Sequence, residues 1–272
     1  MKIDQNMTVL VTGANGGLGA AIARAFHARG AKVVLSARRK DAIEPLANEL
    51  SARVVIADQN VPADVERLHQ EARGVDVAVI NAAVPASGEL FALEEAAIES
   101  MIRINLTSPI LTARTLGKAM AERGAGHLVL VSSVSGMVAS PGASLYAATK
   151  FGLRGFALSL RAELHAKGVG VTTIFPGFIR DAGMFANSGA SLPPGVGTRS
   201  PEDVANAVVR AVLRNPAEIT VAAFDQKAAA FAAAVAPGVV DFIASRSSAA
   251  KRLSAEVAAG QAKHFAERDR RS

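Results

Sequence analysis

Short apolar runs alternate with amphipathic stretches along most of the chain. Thr8 to Val11, Lys32 to Ser36, Arg53 to Asp58, Val75 to Ile80, His127 to Ser132 and Val169 to Phe175 are rich in β-branched and aliphatic residues at successive positions. Such runs, bounded by glycine and polar residues, predict strands buried on both faces. Between them, Ala20 to Arg29, Asp41 to Leu50, Pro62 to Arg73, Leu93 to Arg123 and Leu145 to Lys167 carry helical patterns. Pro62 stands near a first turn, where a missing N–H costs nothing. Pro109 predicts an irregularity inside the longest stretch. Ser200-Pro201-Glu202-Asp203 reads as a capped helix start running to about Arg214, and Glu218 to Ala223 as a seventh strand.

Strands alternating with helices imply right-handed crossovers and a parallel, doubly wound α/β sheet with helices on both faces. One domain through residue 225 is expected, followed by a helical extension over 226–272. Ligands bind such sheets beyond the carboxyl ends of the strands. Gly13, Asp58, Asn81, Ser133 and Pro176-Gly177 stand there, after strands one, three, four, five and six. The irregular stretch from Gly177 to Ser200 is long enough to form a lid over those ends.

Composition narrows the functions open to such a fold. The chain has 272 residues, half of them hydrophobic, and no cysteine, which excludes disulfides and thiolate chemistry. The N-terminal residues Met1 to Asn6 lack the apolar region of a signal peptide. The most apolar tract, Ala228 to Ala244, is interrupted by Pro237-Gly238 and Asp241, too short and broken for a spanning helix. A soluble cytoplasmic protein is expected. Net charge is +6. No basic stripe interleaved with aromatics accompanies it and Trp is absent, so no nucleic-acid partner is expected. The five histidines show no metal-ligand spacing, and no metal is expected.

The candidate chemistry centres on the chain's one tyrosine, Tyr146, four residues before Lys150. Residues four apart on a helix are neighbours, and a cation favours the phenolate of a nearby tyrosine. Ser133 lies thirteen positions upstream. At the other end, the first strand runs into Thr12-Gly13-Ala14-Asn15-Gly16-Gly17-Leu18-Gly19 and then a helix. Glycines let the backbone approach a pyrophosphate, and the helix N-terminus offers it free N–H groups. Gly13, Asn15, Gly17 and Leu18 are the candidate cradle. Strand two ends in Ser36-Ala37-Arg38-Arg39, where enzymes preferring NAD commonly carry an acid. Two guanidiniums and no carboxylate there predict NADP(H), with Arg38 and Arg39 on the 2′-phosphate.

Together these motifs resemble the short-chain dehydrogenase/reductase family, in its single-domain Thr-Gly-x-x-x-Gly-x-Gly and Tyr-x-x-x-Lys form, over about Thr8 to Ala223. The resemblance implies a Rossmann-like fold and an NADP(H)-dependent interconversion of a carbonyl and an alcohol. It implies that Tyr146 is the general acid/base, that Lys150 lowers its pKa and binds the nicotinamide ribose, and that Ser133 holds the substrate oxygen. Asn105, in Ile104-Asn105-Leu106, would hold a water linking Lys150 to solvent. Asp58 would lie near the adenine, and Asn81, Pro176, Gly177 and Ile179 would also touch the cofactor. The family's Asn-Ala-Gly reads Asn81-Ala82-Ala83 here. Alanine there would be strained if the position needs φ > 0, and would narrow the cofactor floor if it does not. A homodimer or homotetramer through the two long helices is a family habit.

Ser135, Phe178, Met184, Phe185 and Leu192 suggest an apolar substrate pocket, though lid packing would account for them equally. Two other readings compete. A catalytically idle nucleotide-binding regulator would not need the Tyr, Lys and Ser retained here. A basic membrane-surface or nucleic-acid binder lacks a recognition motif. In the extension, Phe224, Phe231, Val239, Val240, Phe242 and Ile243 are expected to be buried in the pocket's outer wall, a subunit interface or a membrane surface, the last not favoured.

Overall fold

The computed structural model describes all residues except 87, 193–194, 248–251, 254 and 262–272, and no side chains at 241 and 243–245. Seven strands form one parallel sheet in the order β3-β2-β1-β4-β5-β6-β7. They are β1 (Thr8–Thr12), β2 (Lys32–Ala37), β3 (Arg53–Ile56), β4 (Val77–Ile80), β5 (Gly126–Val131), β6 (Val169–Pro176) and β7 (Glu218–Val221). The order reverses between β1 and β4, where a ligand crevice opens above the strand ends.

Helices cover both faces, as the apolar runs predict. Alternate residues of each strand feed two cores. Val9, Val11, Val33 and Leu35 pack with α1 (Gly17–His27), α2 (Lys40–Leu50) and α8 (Pro201–Arg214). Leu10, Val34, Ala78 and Leu128 pack with α3 (Pro62–Glu71), α5 (Ser108–Arg123) and α6 (Ser144–His165). The start of α8 forms the expected cap: Asp203 N–H donates to Ser200 Oγ, and Ser200 N–H to the Asp203 carboxylate.

The irregularity expected at Pro109 is a break in the long helix. It runs as α4 (Glu95–Ile102), a π-helical turn (Arg103–Thr107) and α5. Proline has no N–H to donate to the carbonyl four residues back, which is that of Asn105. One expectation needs correction, and another narrows to burial outside this chain. The stretch after β6 is not loop throughout, since Gly183–Ser188 forms α7. The aromatic residues of the extension are not buried in this chain. After α9 (Phe224–Val235) the chain breaks at Ala236 and continues as α10 (Pro237–Arg246). Phe224, Phe231, Val235, Val239 and Phe242 are all more than half exposed, while Ala230 is the buried residue of α9. The small alanine face packs inward because it allows close approach. Ile243 lies among the side chains not described. Among the described residues no helix is long and apolar enough to cross a membrane, and no cluster of His, Asp or Glu suits a metal.

Candidate active site

The turn after β1 is fixed from behind by the end of β4. Gly13 takes φ +65°, and a Cβ on it would lie 2.8 Å from Ala82 Cα. Only glycine meets both demands. Thr12 Oγ1 accepts from Asn81 N–H and Ala82 N–H, each at 3.0 Å. The Asn81 side chain donates to the Thr12 carbonyl at 3.0 Å and to that of Gly13 at 3.4 Å. Asn81 therefore acts first as a clamp on the turn. No side chain caps α1, which leaves its first N–H groups to face a ligand. A Cβ on Gly19 would collide with the Gly13 carbonyl, so the helix meets the strand closely. Ala83 has no positive φ and is unstrained; its methyl lines the site.

A single cavity of about 580 Å³ runs from this turn to Tyr146. Gly13, Asn15, Gly17 and Leu18 line it, with Arg38 and Arg39 at the end of β2. Arg38 Nη2 is buried and has no hydrogen-bond partner among the described residues. Arg39 reaches Asp41 at 3.5 Å. Asp58 also lines the cavity, while its side chain closes a turn by accepting Asn60 N–H at 2.8 Å.

At the far end stand Ser133, on the turn after β5, and Tyr146 and Lys150 on α6. Ser133 Oγ accepts Ser135 N–H at 3.1 Å and also bonds the Tyr146 phenol. Lys150 is 2% exposed; its Nζ donates to the Val131 carbonyl at 3.2 Å and lies 5.5 Å from the Tyr146 ring centroid. Burial pushes the phenol up to about 12, against the Ser133 hydrogen bond that pulls it down. Burial pushes the Lys150 ammonium down to about 8. The causes of the phenol's shift are its burial and, against it, the Ser133 hydrogen bond.

Asn105 is 1% exposed and does not line the cavity. Its oxygen accepts Val84 N–H at 2.8 Å and its amide donates to the Val84 carbonyl at 2.9 Å. The side chain is committed to the loop after β4, which leaves any part in a relay to its main-chain carbonyl.

Pro176 ends β6, and Gly177, Phe178 and Ile179 follow it along the cavity, where Ser135, Met184 and Phe185 join them. The Phe178 and Phe185 rings meet at 4.8 Å between centroids. Leu192 is not part of the lining. Sequence reasoning offered the extension as an outer wall of the pocket but named none of the residues that form it: Gln226, Ala229, Leu253, Val257 and Gln261 line the same cavity. Gln226 accepts Phe178 N–H at 2.9 Å and donates to the Gly197 carbonyl at 2.7 Å, tying both ends of the lid to α9. The lone amide in an alanine-rich helix start was the available signal.

The short chain dehydrogenase family model matches residues 7–192. Nodulation protein G of Rhizobium sp. (strain N33) is 37% identical over 179 residues, 64% of this chain and 73% of the relative. An uncharacterized oxidoreductase of Staphylococcus aureus (strain N315) is 33% identical over 232 residues, 81% of this chain and 99% of its own. Among solved structures, a short-chain dehydrogenase from Sphingobium yanoikuyae in complex with NADPH superposes with a TM-score of 0.74 at 26% identity, covering 89% of this chain and 96% of that one.

Proposed function

The chain belongs to the short-chain dehydrogenase family, and from that premise we propose that it is an NADP(H)-dependent reductase of carbonyl compounds, with Tyr146 as proton donor. Its class is oxidoreductase, and the fold implies a nicotinamide dinucleotide. The observation that carries the finer reading is the single cavity itself. It joins an uncapped helix N-terminus, a buried guanidinium nitrogen without a partner among the described residues, and the Ser133–Tyr146–Lys150 group.

The residues present fit NADP(H). The turn between Gly13 and Leu18 suits a pyrophosphate, and Arg38 Nη2 suits the extra phosphate that distinguishes NADP(H). When bound, the nicotinamide supplies or takes up the hydride. The chain's residues supply position and the proton. With its pKa at about 12, the Tyr146 phenol is protonated at ordinary pH and is ready to donate to a carbonyl oxygen. Ser133 Oγ is held by Ser135 N–H and donates to the Tyr146 oxygen; a carbonyl oxygen entering beside Tyr146 would take over that hydrogen bond. Lys150 sits beneath, and its ammonium favours the phenolate formed on transfer. The main-chain carbonyl of Asn105, deprived of its helical donor by Pro109, is the natural hold for a water that returns the proton. Phe178, Met184 and Phe185 favour apolar substrates. A homo-oligomer is assigned to the faces of α5 and α6, where Leu111, Phe151 and Leu158 are exposed.

Titration with NADPH and NADH, followed by a panel of ketones and aldehydes read by NADPH absorbance, tests the reading. Tight NADPH binding with turnover of apolar carbonyls is expected. Preference for NADH, or NADPH binding without turnover of any carbonyl or alcohol, overturns it.

A further inference from the structure

A surface helix of a folded chain turns its apolar side chains to the core and its polar ones to water. In α9 that order is reversed. Phe224, Phe231 and Val235, seven and four positions apart, stand on one face, with Ala228 between them. The three large side chains are 84%, 74% and 70% exposed, whereas Ala230, turned away from that face, is buried. The break at Ala236 prevents one long stripe, but α10 carries an exposed row of its own. Val239 and Phe242, three apart, are exposed there, and the Arg246 guanidinium carbon lies 3.7 Å from the centre of the Phe242 ring. Lys227 and Arg246 are exposed beside these apolar residues. Single exposed apolar side chains are ordinary, but a row of them on one helix marks a surface that something else covers.

We infer that α9 and α10 dock the protein on the surface of an anionic lipid bilayer. Charge selects this occupant over a second copy of the chain. From Phe224 to Ser272 the sequence carries eight basic and five acidic residues, half of the chain's net +6. Two such extensions meeting face to face would bring like charges together, and self-association is assigned to α5 and α6 instead. Anionic headgroups complement the same charge. The phenylalanines and valines would enter the boundary between headgroups and acyl chains, while Lys227 and Arg246 stay among the phosphates. Arg246 over Phe242 suits that boundary, with the ring toward the lipid and the cation toward the headgroups. The helices lie in the interface, since among the described residues none is long and apolar enough to cross it. Gln226 and Ala229 of the same α9 line the cavity, so docking brings the cavity's helical wall beside lipid, the phase in which apolar carbonyl compounds concentrate. The docking itself does not depend on the reductase reading.

The test sediments the full chain with vesicles of phosphatidylcholine alone and of phosphatidylcholine with about one third phosphatidylglycerol, at about 0.1 M and about 1 M salt. Wild type is expected to bind the anionic vesicles about tenfold or more tightly than the neutral ones, and to lose most of that preference at the higher salt. The double substitution Phe231→Gln and Val235→Gln keeps every charge and should weaken binding to the anionic vesicles by about tenfold or more. A cooperative melt close to that of wild type reports that the variant is folded. A second variant, Lys227→Glu with Arg246→Glu, leaves the apolar rows intact and should lose the preference for anionic over neutral vesicles. No binding to either vesicle, equal binding to both, or either variant behaving as wild type overturns the inference. Sizing chromatography decides the rival occupant: a smaller species for Phe231→Gln with Val235→Gln than for wild type assigns the face to a second copy and overturns the inference as well.

Discussion

Two regions enclose the cavity, and they are held in place differently. Along the strand ends, side-chain hydrogen bonds to the strands' own main chain and obligatory glycines fix the atoms: Asn81 and Thr12 lock the Gly13 turn, and Lys150 is pinned to the Val131 carbonyl. Along the helical wall, a few side-chain contacts hold short elements. Gln226 ties down the lid, Phe178 meets Phe185, and the terminal segment leans on Ser188. The first region is set by topology, so a cofactor common to many proteins can be bound in the same way. The second is set by packing of variable side chains, and that is where a substrate is distinguished.

The largest expected effect lies at the strand-end region. Tyr146→Phe keeps the ring and its packing and removes the proton. Since no other tyrosine exists, turnover should fall by roughly a thousandfold or more, with NADPH affinity nearly unchanged. Undiminished turnover would mean that the proton comes from elsewhere, and the comparison would lose its chemical pole.

Next comes the stability cost of that pole. The folded state depresses the Lys150 pKa from 10.5 to about 8. A depressed pKa means that the folded protein disfavours the charged form. The stability linked to Lys150 is therefore whole above about 10.5 and lost as pH falls through about 8. Lys150→Met should accordingly be more stable than wild type at pH 7, by up to about 3 kcal/mol, and the gain should vanish toward pH 11. Urea unfolding of both proteins across that range checks it. A gain independent of pH would show that packing, not charge burial, separates them.

How much of this the sequence discloses follows the same division. The strands are legible because burial on both faces leaves continuous apolar runs, and the glycine turn because its backbone tolerates no other residue. Ends are less legible. Val75 and Asp76 read as strand, but the ladder begins at Val77; Asp76 still donates its N–H to the Thr8 carbonyl, and its carboxylate accepts Thr8 N–H. The role of Asn105 is half legible, since only the structure shows its side chain spent on Val84. In the helical wall, α7 has six residues and no periodicity to detect. The aromatics of the extension suggest burial by hydrophobicity alone, yet it is alanine that faces inward. Gln261 carries no motif at all.

A smaller effect separates the cofactor end from the rest. Arg38→Ala removes the half-buried guanidinium without touching the pyrophosphate turn. NADPH binding should weaken by about ten- to a hundredfold, as loss of a charge-assisted contact worth about 1.5–3 kcal/mol implies, while NADH binding changes little. Fluorescence titration with both nucleotides decides it. Equal losses would remove the 2′-phosphate from the account and leave Arg38 as a structural residue.

The smallest effect belongs to the helical wall. Ending the chain after Arg246 keeps α9, α10 and the Gln226 contacts, and deletes Leu253, Val257 and Gln261 from the lining. Nothing in the strand-end region depends on those three side chains. NADPH affinity should therefore stay within about twofold, while KM for an apolar ketone rises by about tenfold, equivalent to about 1.4 kcal/mol of lost apolar contact. Steady-state kinetics and nucleotide titration of the shortened chain measure the two quantities separately. If NADPH affinity fell as far as ketone affinity, the terminal segment would be supporting the whole cavity, and the distinction between a topologically fixed half and a packed half would not hold. If neither changed, the segment would lie over the site without touching what binds there. A rise in KM alone, paired with the nucleotide-only loss in Arg38→Ala, would show that the two halves of the cavity bind their ligands independently.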